Sequence, residues 1–139
     1  MSAAVFTYGT LMFENVWAEV LGAVSVEPGV VARLDGFRRH GVRNEAYPAM
    51  LRDDGSHIDG VLHMQVTDKQ IALLDKFEGP DYQRIEVTAT LPGVGGQKGR
   101  QIAANAYLFL APGRVTDADW DIESFRARHL TTFVSQYPK

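Results

Sequence analysis

The chain turns from a helix into a strand within residues 67–84, TDKQIALLDKFEGPDYQR. Thr67 is followed three residues later by Gln70, a capping box that predicts a helix over residues 68–77. Apolar side chains recur there at three- and four-residue spacings, as on the buried face of an amphipathic helix. The Gly-Pro pair that follows ends the helix, and β-branched residues predict a strand over residues 84–91.

Outside this segment, predicted strands outnumber predicted helices and come mostly in pairs. The other predicted strands cover residues 4–8, 30–34, 37–42, 49–52, 58–66 and 102–110, and the other predicted helices cover 15–21 and 122–137. Turn signals at residues 35–36 and 53–55 predict tight hairpins, and the Gly-rich residues 92–99 predict a longer one. There is no regular strand–helix–strand alternation. The pattern therefore indicates an α+β fold whose mixed or antiparallel sheet can curl into a small barrel.

Composition indicates one compact domain spanning residues 1–139. Hydrophobic residues make up 45% of the chain and charged residues 22%, which excludes a disordered or low-complexity chain. The net charge is −3, whereas a nucleic-acid partner needs a basic face, so none is expected. The N-terminus lacks a signal-peptide pattern, and no apolar run approaches the ~18 residues of a membrane span. We therefore expect a cytoplasmic protein without a membrane partner, and the sequence leaves its oligomeric state open.

Several common site types have no support in the sequence. The absence of cysteine excludes disulfides, iron–sulfur sites and a cysteine nucleophile. The histidines are His40, His57, His63 and His129. No pair has the spacing of a helical metal site, and no serine lies in a Gly-x-Ser-x-Gly elbow, so no metal, cofactor or hydrolase triad is predicted. His63 alternates with its strand neighbours, which favours a partly buried structural role.

Glu78 is the acidic residue of the predicted helix that tilts towards the apolar face. On a helical wheel it falls on the flank of that face, whereas Asp68 and Asp75 lie on the solvent side. Burial at this position raises the pKa of a carboxylate and suits a general acid/base that works near neutral pH. The alternative is that Glu78 lies at a fraying helix end and reaches water.

Tyr8-Gly9-Thr10-Leu11 follows the first predicted strand. A strand that ends in glycine before the next helix leaves several backbone N–H groups unpaired. Such a turn can bind a carboxylate or an oxyanion through the main chain, and glycine lets a ligand approach closely. The alternative is an ordinary turn in which Thr10 satisfies its own backbone.

Further candidate contacts come from tyrosine and arginine. Tyr82 and Arg84 lie on one face of a predicted strand, where Tyr82 can donate a hydrogen bond to a substrate and Arg84 can orient an acid. The alternative for these two is a cross-strand pair on the sheet surface. A basic cluster, Arg38, Arg39 and Arg43, favours a solvated hairpin over a clamp for an acidic substrate.

Two of these segments resemble signatures of one protein family. Tyr8-Gly9-Thr10-Leu11 resembles the Tyr-Gly-Ser/Thr-Leu signature of the γ-glutamylcyclotransferase-like family. Residues 74–84, LDKFEGPDYQR, are similar to its second signature, Leu-Asp-x-Phe-Glu followed by Tyr-x-Arg. Residues 47–51 and 60–62 match its middle strands, and residues 120–133 look closest to the branch of the plant avirulence-induced proteins and their bacterial relatives.

The resemblance implies a small mixed β-barrel with flanking helices and a cavity at the barrel mouth. It further implies a cofactor-independent enzyme that cyclises a γ-glutamyl amino acid or γ-glutamyl amine to 5-oxoproline and releases the amine. Two alternatives remain: a non-catalytic metabolite-binding module, and an acyltransferase or amidohydrolase that uses the same cavity.

The resemblance also assigns roles to residues of this chain. The catalytic glutamate of the family corresponds to Glu78, and no metal is implied. The predicted substrate-binding residues are Tyr8, Gly9, Thr10, Leu11 and Tyr82. Thr10 stands where many members have serine, which is a conservative difference because both side chains end in a hydroxyl.

Overall fold

The computed structural model describes residues 2–22, 29–93, 95 and 99–128. Within these residues the chain forms five β-strands and three α-helices. The strands are β1 (Ser2–Thr7), β2 (Val30–Gly41), β3 (Pro48–Thr67), β4 (Tyr82–Thr90) and β5 (Gln101–Phe109). The helices are α1 (Glu14–Leu21), α2 (Asp68–Glu78) and α3 (Ile122–Arg128), and short 3₁₀ turns lie at Thr10–Met12 and Pro112–Arg114.

The five strands close into a barrel in the order β1-β3-β2-β4-β5. The contacts between neighbours are antiparallel, except that β1 and β5 close the ring in parallel where Val5 faces Asn105. Large buried side chains fill the interior, namely Phe6, Leu34, Met50, Ile58 and Leu62. The predicted α+β class with a small mixed barrel is confirmed.

The two tight hairpins predicted at residues 35–36 and 53–55 are wrong. β2 and β3 are each one long strand, and the turn that joins them lies at residues 42–47. Gly36 and Gly55 both have a φ of 86°, but they lie at a bulge where the pairing register shifts. Positive φ suits a bulge as well as a turn, so the same glycine signal bends the strands here without reversing the chain.

Helices α1 and α2 pack together on the outside of the barrel, over β1 and the end of β3. The buried side chains of this layer include Val16, Trp17 and Val20 of α1 and Ile71 and Leu74 of α2. Both helices lie within one residue of their predicted bounds. The predicted capping box at the start of α2 is present, with both of its hydrogen bonds. This cap fixes where α2 begins, and Gly79, with a φ of 78°, follows its last residue, Glu78.

The C-terminal segment matches its prediction as far as it is described. The predicted last helix begins at Ile122, and its continuation from residue 129 to 137 lies outside the described residues. Trp120 is a buried anchor: its indole N–H donates to the carbonyl of Ala46 at 2.7 Å, and its ring packs against Phe125. The pairing of β4 with β5 confirms the third predicted hairpin. No described helix is long and apolar enough to cross a membrane.

Candidate active site

A cavity of about 230 Å³ lies where β1 runs into the Thr10–Met12 turn. All the residues predicted for the site border it: Tyr8, Gly9, Thr10, Leu11, Glu78 and Tyr82. Its other lining residues are Phe6, Thr7, Tyr47, Pro48, Phe77, Asp81 and Tyr107. The barrel thus brings two segments that are far apart in sequence to one place. The part that each residue plays in binding or catalysis stays a prediction.

Glu78 is the last residue of α2, and it borders the cavity. Burial raises the pKa of its carboxyl group to about 8, because a charged carboxylate is poorly solvated there. The fraying-end alternative, in which Glu78 reaches bulk water, does not describe this geometry, since Glu78 lines the cavity. A carboxyl group that titrates near neutral pH can both accept and return a proton.

The turn at Gly9–Leu11 offers main-chain donors to the same cavity. The Met12 amide donates to the Gly9 carbonyl at 3.0 Å, and the Phe13 amide donates to the Thr10 carbonyl at 3.2 Å. Among the described residues, the amides of Gly9, Thr10 and Leu11 have no protein acceptor. A Cβ atom on Gly9 would lie 2.5 Å from Cγ of Pro48, so glycine is required by this close approach. Three free donors in one turn suit an anionic oxygen.

Three tyrosines line the same cavity as Glu78, and each hydroxyl donates to a protein oxygen. Tyr8 donates to the carbonyl of Tyr107 at 2.8 Å, and Tyr107 donates to Oδ1 of Asp75 at 2.7 Å. Burial, and then the charge of Glu78, raise the pKa of Tyr8 and Tyr82. Burial and the hydrogen bond to Asp75 raise the pKa of Tyr107. These phenols therefore stay neutral and hold the walls of the cavity in place.

Tyr82 and Arg84 differ from the sequence prediction in what they contact. The Tyr82 hydroxyl donates to the Pro48 carbonyl at 2.7 Å, so its proton is bound by the protein in this structure. Arg84 lies outside the cavity, where Nε is 2.9 Å from Oδ1 of Asp75. Arg84 therefore forms a surface ion pair and does not orient Glu78.

Sequence reasoning missed the polar rim of the cavity. Arg114 donates from Nη1 to Oδ2 of Asp81 at 3.2 Å and from Nη2 to the Tyr47 hydroxyl at 3.0 Å. Tyr47 and Asp81 line the cavity, while Arg114 holds them from outside. These residues come from three separate segments, so no local spacing joins them. The Tyr47-Pro48 pair was visible only as part of a family match.

The other polar candidates lie away from this cavity. His63 is buried, with its ring stacked on Trp17 at a centroid distance of 3.7 Å, which agrees with the predicted structural role. Arg39 departs from the predicted solvated hairpin, since its side chain is 16% exposed and bonds to Asp119 and to the Tyr8 carbonyl. In the part of the chain that is described, no group of three acidic or histidine side chains is arranged to hold a metal.

Residues 5–123 match the family model described as gamma-glutamyl cyclotransferase, AIG2-like. The chain belongs to this family. The match runs from β1 into α3, so it includes both signature segments and every residue that lines the cavity. The resemblance based on Tyr8-Gly9-Thr10-Leu11 and residues 74–84 is confirmed.

Relatives in the AIG2-like group are similar to nearly the whole chain at low identity. AIG2-like protein D of Arabidopsis thaliana is 26% identical over 135 residues, covering 94% of this chain and 84% of the relative. Protein AIG2 C of the same plant is 26% identical over 136 residues, covering 97% of this chain and 79% of the relative. A protein of Methanocaldococcus jannaschii named gamma-glutamylcyclotransferase and putative RNase is 28% identical over 95 residues, covering 68% of this chain and 41% of that protein.

Solved structures share the fold. A solution structure of an Arabidopsis thaliana protein superposes with a TM-score of 0.73 at 25% identity, covering 99% of this chain and 80% of that one. A structure named gamma-glutamyl cyclotransferase superposes with a TM-score of 0.63 at 18% identity, covering 87% of this chain and 69% of that one. At such identities the likeness shows the AIG2-like barrel fold.

Proposed function

We propose that the chain is a γ-glutamylcyclotransferase, which converts a γ-glutamyl amino acid or γ-glutamyl amine into 5-oxoproline and a free amine. One observation supports this above the others. A carboxyl group whose pKa is about 8, that of Glu78, borders the same cavity as the unpaired amides of Gly9–Leu11. A proton acceptor and a turn with unpaired amides on one cavity suit a substrate with both an ammonium and a carboxylate group.

The reaction requires little from the protein beyond orientation and proton transfer. The α-nitrogen of the γ-glutamyl group attacks its own γ-carbonyl carbon, so a carbon–nitrogen bond forms and closes a five-membered ring. The bond from that carbon to the leaving nitrogen then breaks. Because nucleophile and electrophile belong to one molecule, holding the productive rotamer supplies much of the acceleration, on the order of 7–11 kcal/mol in well-oriented cases.

Glu78 accounts for the protons. The α-ammonium begins with three: one stays on the ring nitrogen, and two end on the released amine, which leaves as an ammonium ion. Glu78 accepts one proton from the α-ammonium to make its nitrogen nucleophilic and returns that proton to the departing nitrogen. After the attack it relays a second proton from the α-nitrogen in the same direction, so the amine leaves as an ammonium ion. A carboxyl pKa of about 8 allows both transfers near neutral pH, and such catalysis contributes typically about 10²–10⁴-fold.

The amides of Gly9–Leu11 would bind the negatively charged oxygen atoms of the substrate. The lining of the cavity, as described, contains no arginine, lysine or histidine. Main-chain donors are therefore its source of positive potential for an anion. The four lining tyrosines, Tyr8, Tyr47, Tyr82 and Tyr107, provide apolar faces that exclude water from the ring closure.

The direct test is incubation of the protein with a panel of γ-glutamyl dipeptides and γ-glutamyl amines, followed by measurement of 5-oxoproline. Release of 5-oxoproline together with an equal amount of amine is the expected result. Release of free glutamate in its place would show that water is the nucleophile and that the protein is an amidohydrolase. Binding of panel members with no product of either kind would favour a metabolite-binding module.

A further inference from the structure

The peptide bond between Tyr8 and Gly9 is held from outside the cavity by an arginine. Nη1 of Arg39 donates to the Tyr8 carbonyl oxygen at 2.9 Å. The rest of the same guanidinium is fixed by Asp119, whose Oδ1 accepts from Nε at 2.8 Å and whose Oδ2 accepts from Nη2 at 3.1 Å. A two-point contact of this kind sets the plane of the guanidinium and so aims Nη1.

This contact bears on the direction of the Gly9 N–H group. A trans peptide unit is planar, and its C=O and N–H bonds point in opposite directions. An arginine that holds the Tyr8 carbonyl on the outer side therefore turns the Gly9 N–H towards the other side, where Gly9 borders the cavity. The positive charge also polarises the peptide unit, which makes its N–H a stronger donor.

We propose that Arg39 is a positioning residue that orients the Gly9 amide for binding a carboxylate group of the substrate. The inference rests on the proposed function for the identity of that substrate. Arg39 itself does not line the cavity, so it acts through the Tyr8–Gly9 peptide and makes no contact with the ligand.

The C-terminal segment holds Arg39 in place. Asp119 is anchored by the Trp120 amide, which donates to its Oδ1 at 2.7 Å, and the Arg39 guanidinium lies 5.7 Å from the centre of the Trp120 ring. Trp120 packs on Phe125, and Phe125 packs on Phe13 directly after the amide turn, each pair with ring centroids 5.5 Å apart. The segment thus braces the amide turn at two points, the Tyr8 carbonyl and the Phe13 ring.

Arg38 provides a matched control within the same strand. It also bonds to the C-terminal segment, at the Asp117 carbonyl, but it makes no contact with Tyr8. Arg38→Gln therefore removes a guanidinium and one link to the segment while leaving the Tyr8–Gly9 peptide held. Arg39→Gln removes the contact with the peptide.

The experiment combines kinetics with an NMR measurement of the Gly9 amide. With a γ-glutamyl substrate from the panel, Arg39→Gln is expected to raise KM about tenfold and to leave kcat within about twofold. The lost amide contact binds the substrate carboxylate equally in the ground state and the transition state, so its loss weakens binding without slowing the chemical step. Arg38→Gln is expected to keep both constants. Titration with sodium acetate is expected to shift the Gly9 amide signal in the unmutated protein and much less in Arg39→Gln.

Equal KM values for Arg39→Gln and Arg38→Gln, or a Gly9 signal that does not respond to acetate in the unmutated protein, would overturn the inference. If the unmutated protein makes no 5-oxoproline, the proposed function fails and the acetate titration alone decides the role of Arg39. Should Arg39→Gln not fold, Asp119→Asn takes its place. That variant weakens the two-point contact while keeping the guanidinium, and a smaller change in the same direction is expected; no change in KM or in the acetate response would again contradict the proposal.

Discussion

Two ionisable side chains, the half-buried Glu78 and the buried His63, both have shifted pKa values but differ in their access to a ligand. Burial raises the pKa of Glu78 to about 8 and lowers the pKa of His63 to about 4, so each side chain is pushed towards its neutral form. Glu78 borders a cavity with unpaired main-chain donors, whereas His63 lies against Trp17 under α1. A shifted pKa alone therefore does not mark a functional site; access to a ligand is also needed.

The surroundings of His63 explain why it can be buried without a function. Its ring stacks on the Trp17 indole, and it is so closely packed that a Cβ atom on Gly29 would lie 2.9 Å from its Cε1. Its Nε2 atom is buried with no hydrogen-bond partner in the described structure. A neutral imidazole tolerates this arrangement, because the unpaired nitrogen carries no charge. The site has room for a ring and none for a substrate.

Replacing Glu78 with glutamine should have the largest effect of the changes considered. Glu78→Gln keeps the volume of the side chain but cannot accept a proton, so turnover should fall by about two to four decades, the usual contribution of general acid/base catalysis. Glu86→Gln is the matched control, since Glu86 is an exposed carboxylate of β4 outside the cavity. Rates of 5-oxoproline release and a melting curve are measured on the same preparations.

The pH dependence of kcat/KM sharpens this test. In the unmutated protein it should rise with pH up to about 8, because only the ionised form of Glu78 can accept the proton. The residual kcat/KM of Glu78→Gln should not rise with pH in this way. Full 5-oxoproline release by a well-folded Glu78→Gln variant would remove Glu78 from the mechanism and leave it a buried group like His63.

Glu78 should also make the protein less stable as pH rises. Its folded-state pKa of about 8 exceeds the ordinary value of 4.5. Between these values the folded state keeps a proton that the unfolded state has lost, so the free energy of unfolding falls with rising pH. At about 1.4 kcal/mol per pH unit, the loss reaches at most about 5 kcal/mol by pH 8.

Denaturant unfolding of the unmutated protein and Glu78→Gln across pH 5 to 8 measures this loss, because the variant lacks the titrating group. The difference between the free energy of unfolding of Glu78→Gln and that of the unmutated protein should rise steadily, in favour of the variant, from pH 5 to pH 8. Parallel stability curves for the two proteins would mean that the carboxylate is well solvated in the folded state. The comparison with His63 would then break down.

Local patterns in the sequence predicted those parts of the molecule that depend on neighbours along the chain. The capping box at Thr67 fixed the start of α2, and helical periodicity placed Glu78 on the side that faces the barrel. The glycine signals at Gly36 and Gly55 failed because positive φ serves both turns and bulges. Which of these forms depends on the pairing partner, and that information is not local.

Tyr107 at the cavity and Arg39 behind the Tyr8 carbonyl are brought to the site only when the barrel closes. Tyr107 reaches the cavity because the β4–β5 register pairs it with Arg84, and a long Gly-rich loop leaves that register undetermined in the sequence. Arg39 was grouped with a solvated basic cluster, since no spacing pattern links it to Asp119 or to the Tyr8 carbonyl. Long-range side-chain contacts of this kind need the folded structure.

His63 should change the pH dependence of the free energy of unfolding less than Glu78 does, and in the opposite direction. Its folded-state pKa of about 4 lies below the ordinary 6.5, so between these values the unfolded state binds a proton that the folded state does not. The free energy of unfolding therefore falls as pH drops from 6.5 to 4, by up to about 3 kcal/mol. His63→Phe keeps a ring against Trp17 and should lose this slope, whereas His57→Gln, at an exposed histidine, should keep it. The slope is compared because any change in packing shifts the whole curve equally. An unchanged slope in His63→Phe would show that the imidazole is solvated when folded, and the contrast with Glu78 would disappear.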